Sequence, residues 1–81
     1  MERKEIMAEL TKVFRATFHN EKITIDERTA PADLDEWDSL NHAQLIYAIE
    51  KHFKVKFSLK EMVRFTDVGC LCEGIEAKLK P

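Results

Sequence analysis

Glycine and proline are scarce in this chain, with two of each in 81 residues. That excludes collagen-like and linker sequences and argues against a turn-rich all-β fold. Cysteine is equally sparse. Cys70 and Cys72 make no disulfide framework, and within one helix they lie ~200° apart around the axis, so they neither bridge nor chelate together. No charge sign dominates: 13 Lys and Arg stand against 15 Asp and Glu, for a net charge of −2. A nucleic-acid binder carries a basic excess that is absent here. A disordered tail carries fewer apolar residues than the 44% found and a larger net charge. No apolar run approaches the ~20 residues of a membrane span. The opening MERKEIMAEL is charged and lacks the apolar stretch of a signal peptide. Reduced thiols without an export signal predict a cytoplasmic protein. The length predicts one domain over residues 1–81, burying about 60–65% of its unfolded surface around one small core and leaving no deep catalytic cleft.

What is present is helical periodicity. Ile6, Leu10, Val13, Phe14 and Phe18 fall on one stripe, widened by Met7, and predict a first helix from about Glu2 to Phe18. A long connection follows to about Asp38. Its isolated apolar residues are Ile23, Ile25, Leu34 and Trp37, of which Ile25 and Leu34 are expected to pin it to the core. A second helix starts at Asp38 or Ser39 and reaches His52 or Phe53, with Leu40, Ala43, Ile46, Tyr47, Ile49 and Phe53 as a broad apolar face. Ser58 with Glu61 three residues on is a capping box that opens a short third helix, Leu59 to Arg64. Thr66 or Asp67 caps a fourth helix carrying Val68, Leu71, Ile75 and Leu79. Gly69 and Gly74 lie inside that helix at a cost of ~1 kcal/mol each against Ala. The fold class is therefore all-α, a four-helix bundle of three longer helices and one short one. Cys70 is expected to be buried and Cys72 partly exposed.

The informative stretch is Leu34-Asp35-Glu36-Trp37-Asp38-Ser39-Leu40. Taken alone, Ser39 or Asp38 is a helix N-cap that satisfies orphan amides. Asp-Ser-Leu opening the second of four helices after a long loop, however, resembles the acyl carrier protein family. The likeness continues through residues 40–53, and Phe57, the capped short helix and Thr66-Asp67-Val68 also fall at family positions. The Trp37-Asp38-Ser39-Leu40 form is similar to specialised carriers of polyketide or polysaccharide gene clusters.

This resemblance implies a non-catalytic carrier of acyl-carrier fold. Ser39 would be the attachment point of 4′-phosphopantetheine, whose thiol holds acyl groups as thioesters. The Ser39 hydroxyl would attack the pyrophosphate of coenzyme A, while a phosphopantetheinyl transferase supplies Mg²⁺ and the base. Asp38 fits the acid that contacts the transferase, and Leu40 the apolar residue beside the arm. The other partners implied are an acyl-loading ligase or acyltransferase and a ketosynthase or other acyl-using enzyme. The carrier is expected to be a monomer that binds no nucleic acid, metal or membrane. Asn41, Gln44, Tyr47, Glu50 and Lys51 would meet partners, and Ile46, Ile49, Met62, Phe65 and Leu71 would line the acyl pocket. An aminoacyl or D-alanyl carrier, or an unmodified helical interaction module, are the rival readings.

The sequence departs from that family in two ways. Fatty-acid carriers have a strongly acidic second helix, whereas residues 40–64 here hold two acids, Glu50 and Glu61, against five bases. The acidity is concentrated instead in residues 20–38, with seven acids and two bases. Complementary charge sets partner choice and on-rate, so poor service to a bulk fatty-acid synthase is expected. Met62, Phe65 and Leu71 also fill the acyl pocket, which predicts a short, polar or solvent-exposed cargo. Trp37 either flanks the arm or covers a core edge. His42, three residues after Ser39, either touches the arm or a partner or is simply a solvated helix residue.

Overall fold

The structure, a computed structural model, describes residues 2–79, with the side chain of Ser39 excepted. Four helices follow in order: α1 (Arg3–Thr17), α2 (Ser39–Phe53), α3 (Leu59–Val63) and α4 (Val68–Leu79), with a 3₁₀ turn at Pro31–Asp33 in the long loop. No strand occurs among the described residues, as the periodicity predicts. α1 packs on both α2 and α4.

Each helix end is held by its local sequence. Asp38 caps α2 by accepting the Asn41 N–H at 2.8 Å, Ser58 caps α3 from the Glu61 N–H at 3.2 Å, and Asp67 caps α4 from the Cys70 N–H at 2.8 Å. Such caps contribute about 1 kcal/mol each. α1 and α2 end in Schellman-type turns. The Asn20 N–H reaches Arg15 O and the Val55 N–H reaches Glu50 O, each at 3.0 Å. The turn residues His19 and Lys54 take positive φ of 53° and 58°, the left-handed region usually given to glycine.

The core is built by Ile6, Leu10 and Phe14 of α1, by Leu45, Ile46 and Ile49 of α2, and by Val68, Leu71, Cys72 and Ile75 of α4. The loop adds Ile23 and Trp37, both buried, while Ile25 and Leu34 are only half-buried. Ile25 and Leu34 nonetheless pack against the core, as expected, and share the pinning of the loop with Ile23 and Trp37. Arg15 fixes Ile23 by donating Nε–H to its carbonyl at 2.7 Å.

Two expectations about helix faces are corrected. Cys72 is fully buried and Cys70 half-buried, the reverse of the expected order. Val68, Leu71, Cys72 and Ile75 follow i, i+3, i+4, i+7, which sets Cys72 on the inner stripe. Burial pushes its thiol up to about 11, so the group stays protonated and unreactive. On α2, Leu40 and Tyr47 are 77% and 64% exposed, although both were assigned to the apolar face. The buried stripe runs instead through Leu45, Ile46, Ile49 and Phe53. At ~100° per residue, Leu40, Gln44, Tyr47 and Lys51 form a separate outer row.

The glycines of α4 have a packing reason. The Gly69 N–H donates to Glu27 O at 2.9 Å, and a Cβ at Gly69 would lie 2.9 Å from that same oxygen. The adjacent Val68 N–H donates to Thr29 O at 2.8 Å, so the start of α4 sits directly on the loop backbone. A Cβ at Gly74 would lie 2.8 Å from the Phe65 ring. In an exposed helix, Gly→Ala gains about 1 kcal/mol. Here Gly69→Ala should instead lose about 1–3 kcal/mol, because the carbonyl it meets belongs to loop backbone tied to the start of α4 by the Gly69 and Val68 N–H bonds. A urea midpoint above that of the wild type would show that the approach is not tight.

Ion pairs join the elements at the surface. The Arg3 guanidinium contacts Glu76 of α4 and Glu27 of the loop, the latter at 2.5 Å. His52 Nε2 lies 2.8 Å from Glu9 Oε1, and Lys78 Nζ lies 3.1 Å from Glu61 Oε1. Glu9 is held below the usual carboxylate range by Lys12 and then His52. Glu61 is lowered by the Ser58 backbone N–H and then Lys78, and Glu36 chiefly by the Asn20 amide. Carboxylates with depressed folded values contribute stability above their unfolded value, here 4.5, and lose it as pH falls through the folded values. The urea midpoint should therefore hold steady from neutral pH down to about 5 and drop below it. Glu61→Gln should blunt that drop, and a drop of unchanged size would remove Glu61 from the explanation.

Candidate functional site

The approach to α2 is built from its loop. Asp33 Oδ2 accepts the Ala30 N–H at 2.9 Å and closes the 3₁₀ turn. The Trp37 N–H then bonds to Leu34 O at 3.1 Å, which turns the indole inward. Trp37 is 1% exposed and packs edge-on against Phe14 with ring centroids 5.2 Å apart. Its Nε1–H donates to His42 Nδ1 at 2.9 Å, and the two rings lie near parallel, 13° apart. Of the two readings of Trp37, the core one holds. His42 is half-buried and engaged through Nδ1, so it is not a free solvated helix residue. A nitrogen that accepts an N–H carries no proton, so the neutral ring has its hydrogen on Nε2.

One helical turn holds the site in register. Asp38 Oδ1 takes the Asn41 N–H, and Asn41 Nδ2 donates to Glu36 O at 2.9 Å. Glu36 is itself fixed by the Asn20 amide at 2.9 Å. The cap is thus Asp38, and Ser39 is the first helical residue. The side chain of Ser39 lies outside the described residues. Leu40, next in sequence, points to solvent, so it is not a core residue at the helix start.

Beside Asp38 an apolar groove of about 670 Å³ opens between α2 and α3, bordered by Trp37, His42, Leu59, Met62 and Phe65 among others. Of the five residues expected to line an acyl pocket, Met62 and Phe65 border this groove. Ile46, Ile49 and Leu71 are fully buried and lie in the closed core. Of the five expected partner residues, Gln44, Tyr47 and Lys51 share the outer row of α2 with Leu40. Asn41 and Glu50 are half-buried and turned inward, Asn41 to Glu36 and Glu50 to the Phe57 N–H at 2.8 Å. Sequence reasoning missed Leu59 and Val63, which border the groove and are 76% and 70% exposed. Their signal was two apolar residues four apart on a five-residue helix, beside two bases at the same spacing.

Among the described residues no group of three or more His, Cys, Asp or Glu is placed to hold a metal, and no helix is long and apolar enough to cross a membrane. A four-helix module whose second helix begins at a serine beside an apolar groove has the architecture of a small carrier domain. No family model matches the chain, and no curated protein matches it. Among solved structures it is similar to the solution NMR structure of a holo acyl carrier protein from Geobacter metallireducens. The identity is 38%, over 90% of this chain and 84% of that one, with a TM-score of 0.84. The chain belongs to the acyl carrier protein family, and the likeness supports a non-catalytic carrier role.

Proposed function

We propose that this protein carries acyl groups on a 4′-phosphopantetheine arm joined to Ser39 by a phosphodiester, in a specialised pathway rather than bulk fatty-acid synthesis. The observation that carries this reading is the division of labour at α2. Asp38 supplies the cap, and Ser39 is the first residue of a 15-residue helix, next in sequence to exposed Leu40. The residues fit the group: a helix N-terminus favours a phosphodiester anion, and the apolar border suits the arm's hydrocarbon portions. Ser39 would hold the arm covalently, with Asp38 and Leu40 beside it. The arm supplies the thiol for thioester chemistry.

A phosphopantetheinyl transferase, an acyl-loading ligase or acyltransferase, and a ketosynthase or other acyl-using enzyme are the partners this reading requires. Metal and positioning on the transferase do the work of phosphoryl transfer. The specialised assignment rests on the outer row of α2, where Leu40, Gln44, Tyr47 and Lys51 present no acid. The closed core at Ile46, Ile49 and Leu71 supports a short or polar cargo, or one that lies along the surface groove. The test is intact-mass measurement after incubation with coenzyme A and a broad-specificity transferase. A gain of one phosphopantetheine supports the carrier, and no gain returns the chain to an unmodified helical interaction module.

A further inference from the structure

The surface running from α2 to α3 presents no free acid. Glu50 and Glu61 are the acids between Leu40 and Arg64, and both are engaged inside the domain. Glu50 Oε2 accepts the Phe57 N–H at 2.8 Å. Glu61 Oε1 accepts the Ser58 N–H at 2.8 Å and pairs with Lys78. Lys51, Lys54, Lys56, Lys60 and Arg64 are all exposed, and none of the five forms an ion pair among the described residues. Lys78 offsets Glu61, and Glu50 keeps its charge but is half-buried and turned to the Phe57 N–H, so the five bases dominate the face that a partner meets.

On α3 the bases and the apolar residues are arranged in rows. Leu59 and Val63 are four apart, exposed, and form the outer edge of the groove. Lys60 and Arg64 are also four apart and form the next row, ~100° around the helix. An exposed apolar pair contributes contact energy but no orientation, whereas an adjacent row of one charge sign fixes orientation and raises the encounter rate.

We propose that α3 is a docking surface for a partner protein whose carrier-binding face is an apolar socket edged by Asp and Glu, with Leu59 and Val63 entering the socket and Lys60 and Arg64 meeting the acids. That the partner is an acyl-handling enzyme rests on the carrier reading above; the polarity of its face does not. A protein partner fits better than a membrane or a nucleic acid. Residues 20–38 carry seven acids against two bases, and this loop supplies the Pro31, Trp37 and Asp38 side of the same groove. A flat anionic surface or a polyanion would meet that loop together with α3, whereas a protein can place its acids opposite α3 alone.

The test is an NMR titration of the unmodified protein with two synthetic amphipathic helical peptides. Both carry the same leucine face, edged in one by Glu and in the other by Lys. The Glu peptide should shift the amide signals of residues 59–64 and bind at least about tenfold tighter than the Lys peptide. That advantage should shrink by about tenfold between ~50 mM and ~500 mM salt. Leu59→Ala with Val63→Ala should weaken both peptides, and Lys60→Glu with Arg64→Glu should reverse the preference; all four side chains are exposed, so the fold should survive. Equal affinity for the two peptides, shifts centred on another helix, or binding to phosphatidylglycerol vesicles at least as tight as to the Glu peptide would each overturn the proposal. Because the unmodified protein is used, a failure here leaves the intact-mass result on Ser39 untouched, and the converse holds.

Discussion

Trp37→Ala should cost about 3–5 kcal/mol of folding stability, most of what a domain of this size has to lose. Trp37 is the largest fully buried side chain, it is wedged against Phe14, and its indole N–H is taken up by His42. Removing it opens a cavity where the end of the long loop enters the core, and it leaves the start of α2 without its inner support. Two milder variants separate the packing from the hydrogen bond. His42→Ala keeps the indole but leaves a buried N–H unpaired, for a loss of about 1–3 kcal/mol. Trp37→Phe keeps an aromatic ring against Phe14 and leaves without a donor only His42 Nδ1, on a half-buried ring, for a loss nearer 1 kcal/mol. Urea unfolding followed by far-ultraviolet circular dichroism serves all three, since the chain has a single Trp and fluorescence is lost in two of them. The expected order of loss is Trp37→Ala, then His42→Ala, then Trp37→Phe. A Trp37→Ala protein as stable as the wild type would return Trp37 to the role of an accessory beside the arm.

Ser39→Ala should do the opposite, abolishing modification while leaving stability within about 0.5 kcal/mol of the wild type. The reason is local. The N-cap bond belongs to Asp38, and Ser39 is the first residue with helical backbone, where Ala is the better helix former. Asp38→Ala is the complementary variant, with a stability loss of about 1 kcal/mol through the lost cap and slower modification if the carboxylate also meets the transferase. A Ser39→Ala protein that unfolded easily would show that the hydroxyl has a structural task.

The periodic parts of this molecule were legible in the sequence. The four helices and the capping box at Ser58 follow from spacing and side-chain chemistry, as do, to within one residue, the cap of α4 (Thr66 or Asp67) and the start of α2 (Asp38 or Ser39). The loop was not, because an irregular segment has no period to read. Whether Ile23 or Ile25 is buried depends on Arg15 catching the Ile23 carbonyl, a contact made across the fold. α2 misled for a different reason. Apolar residues occupy both its inner stripe and its outer row, so composition could not tell Ile46 from Tyr47, and only packing against α1 decides. Asn41 and Glu50 read as free polar residues of an exposed face. Their engagement depends on where the Glu36 carbonyl and the Phe57 amide come to rest, which no helical pattern specifies. The glycines of α4 read as weaknesses because the sequence does not show what lies opposite them.

The chain has two serines, Ser39 and Ser58, each at the start of a helix, and they offer a direct discrimination. Ser58 spends its hydroxyl on the Glu61 N–H, while at α2 that task belongs to Asp38. After incubation with coenzyme A and the transferase, fragmentation mass spectrometry of the digested protein should place a single phosphopantetheine on the peptide containing Ser39, at that residue. A group on Ser58, or none on either serine, would contradict the assignment of Ser39 as the carrier's attachment site.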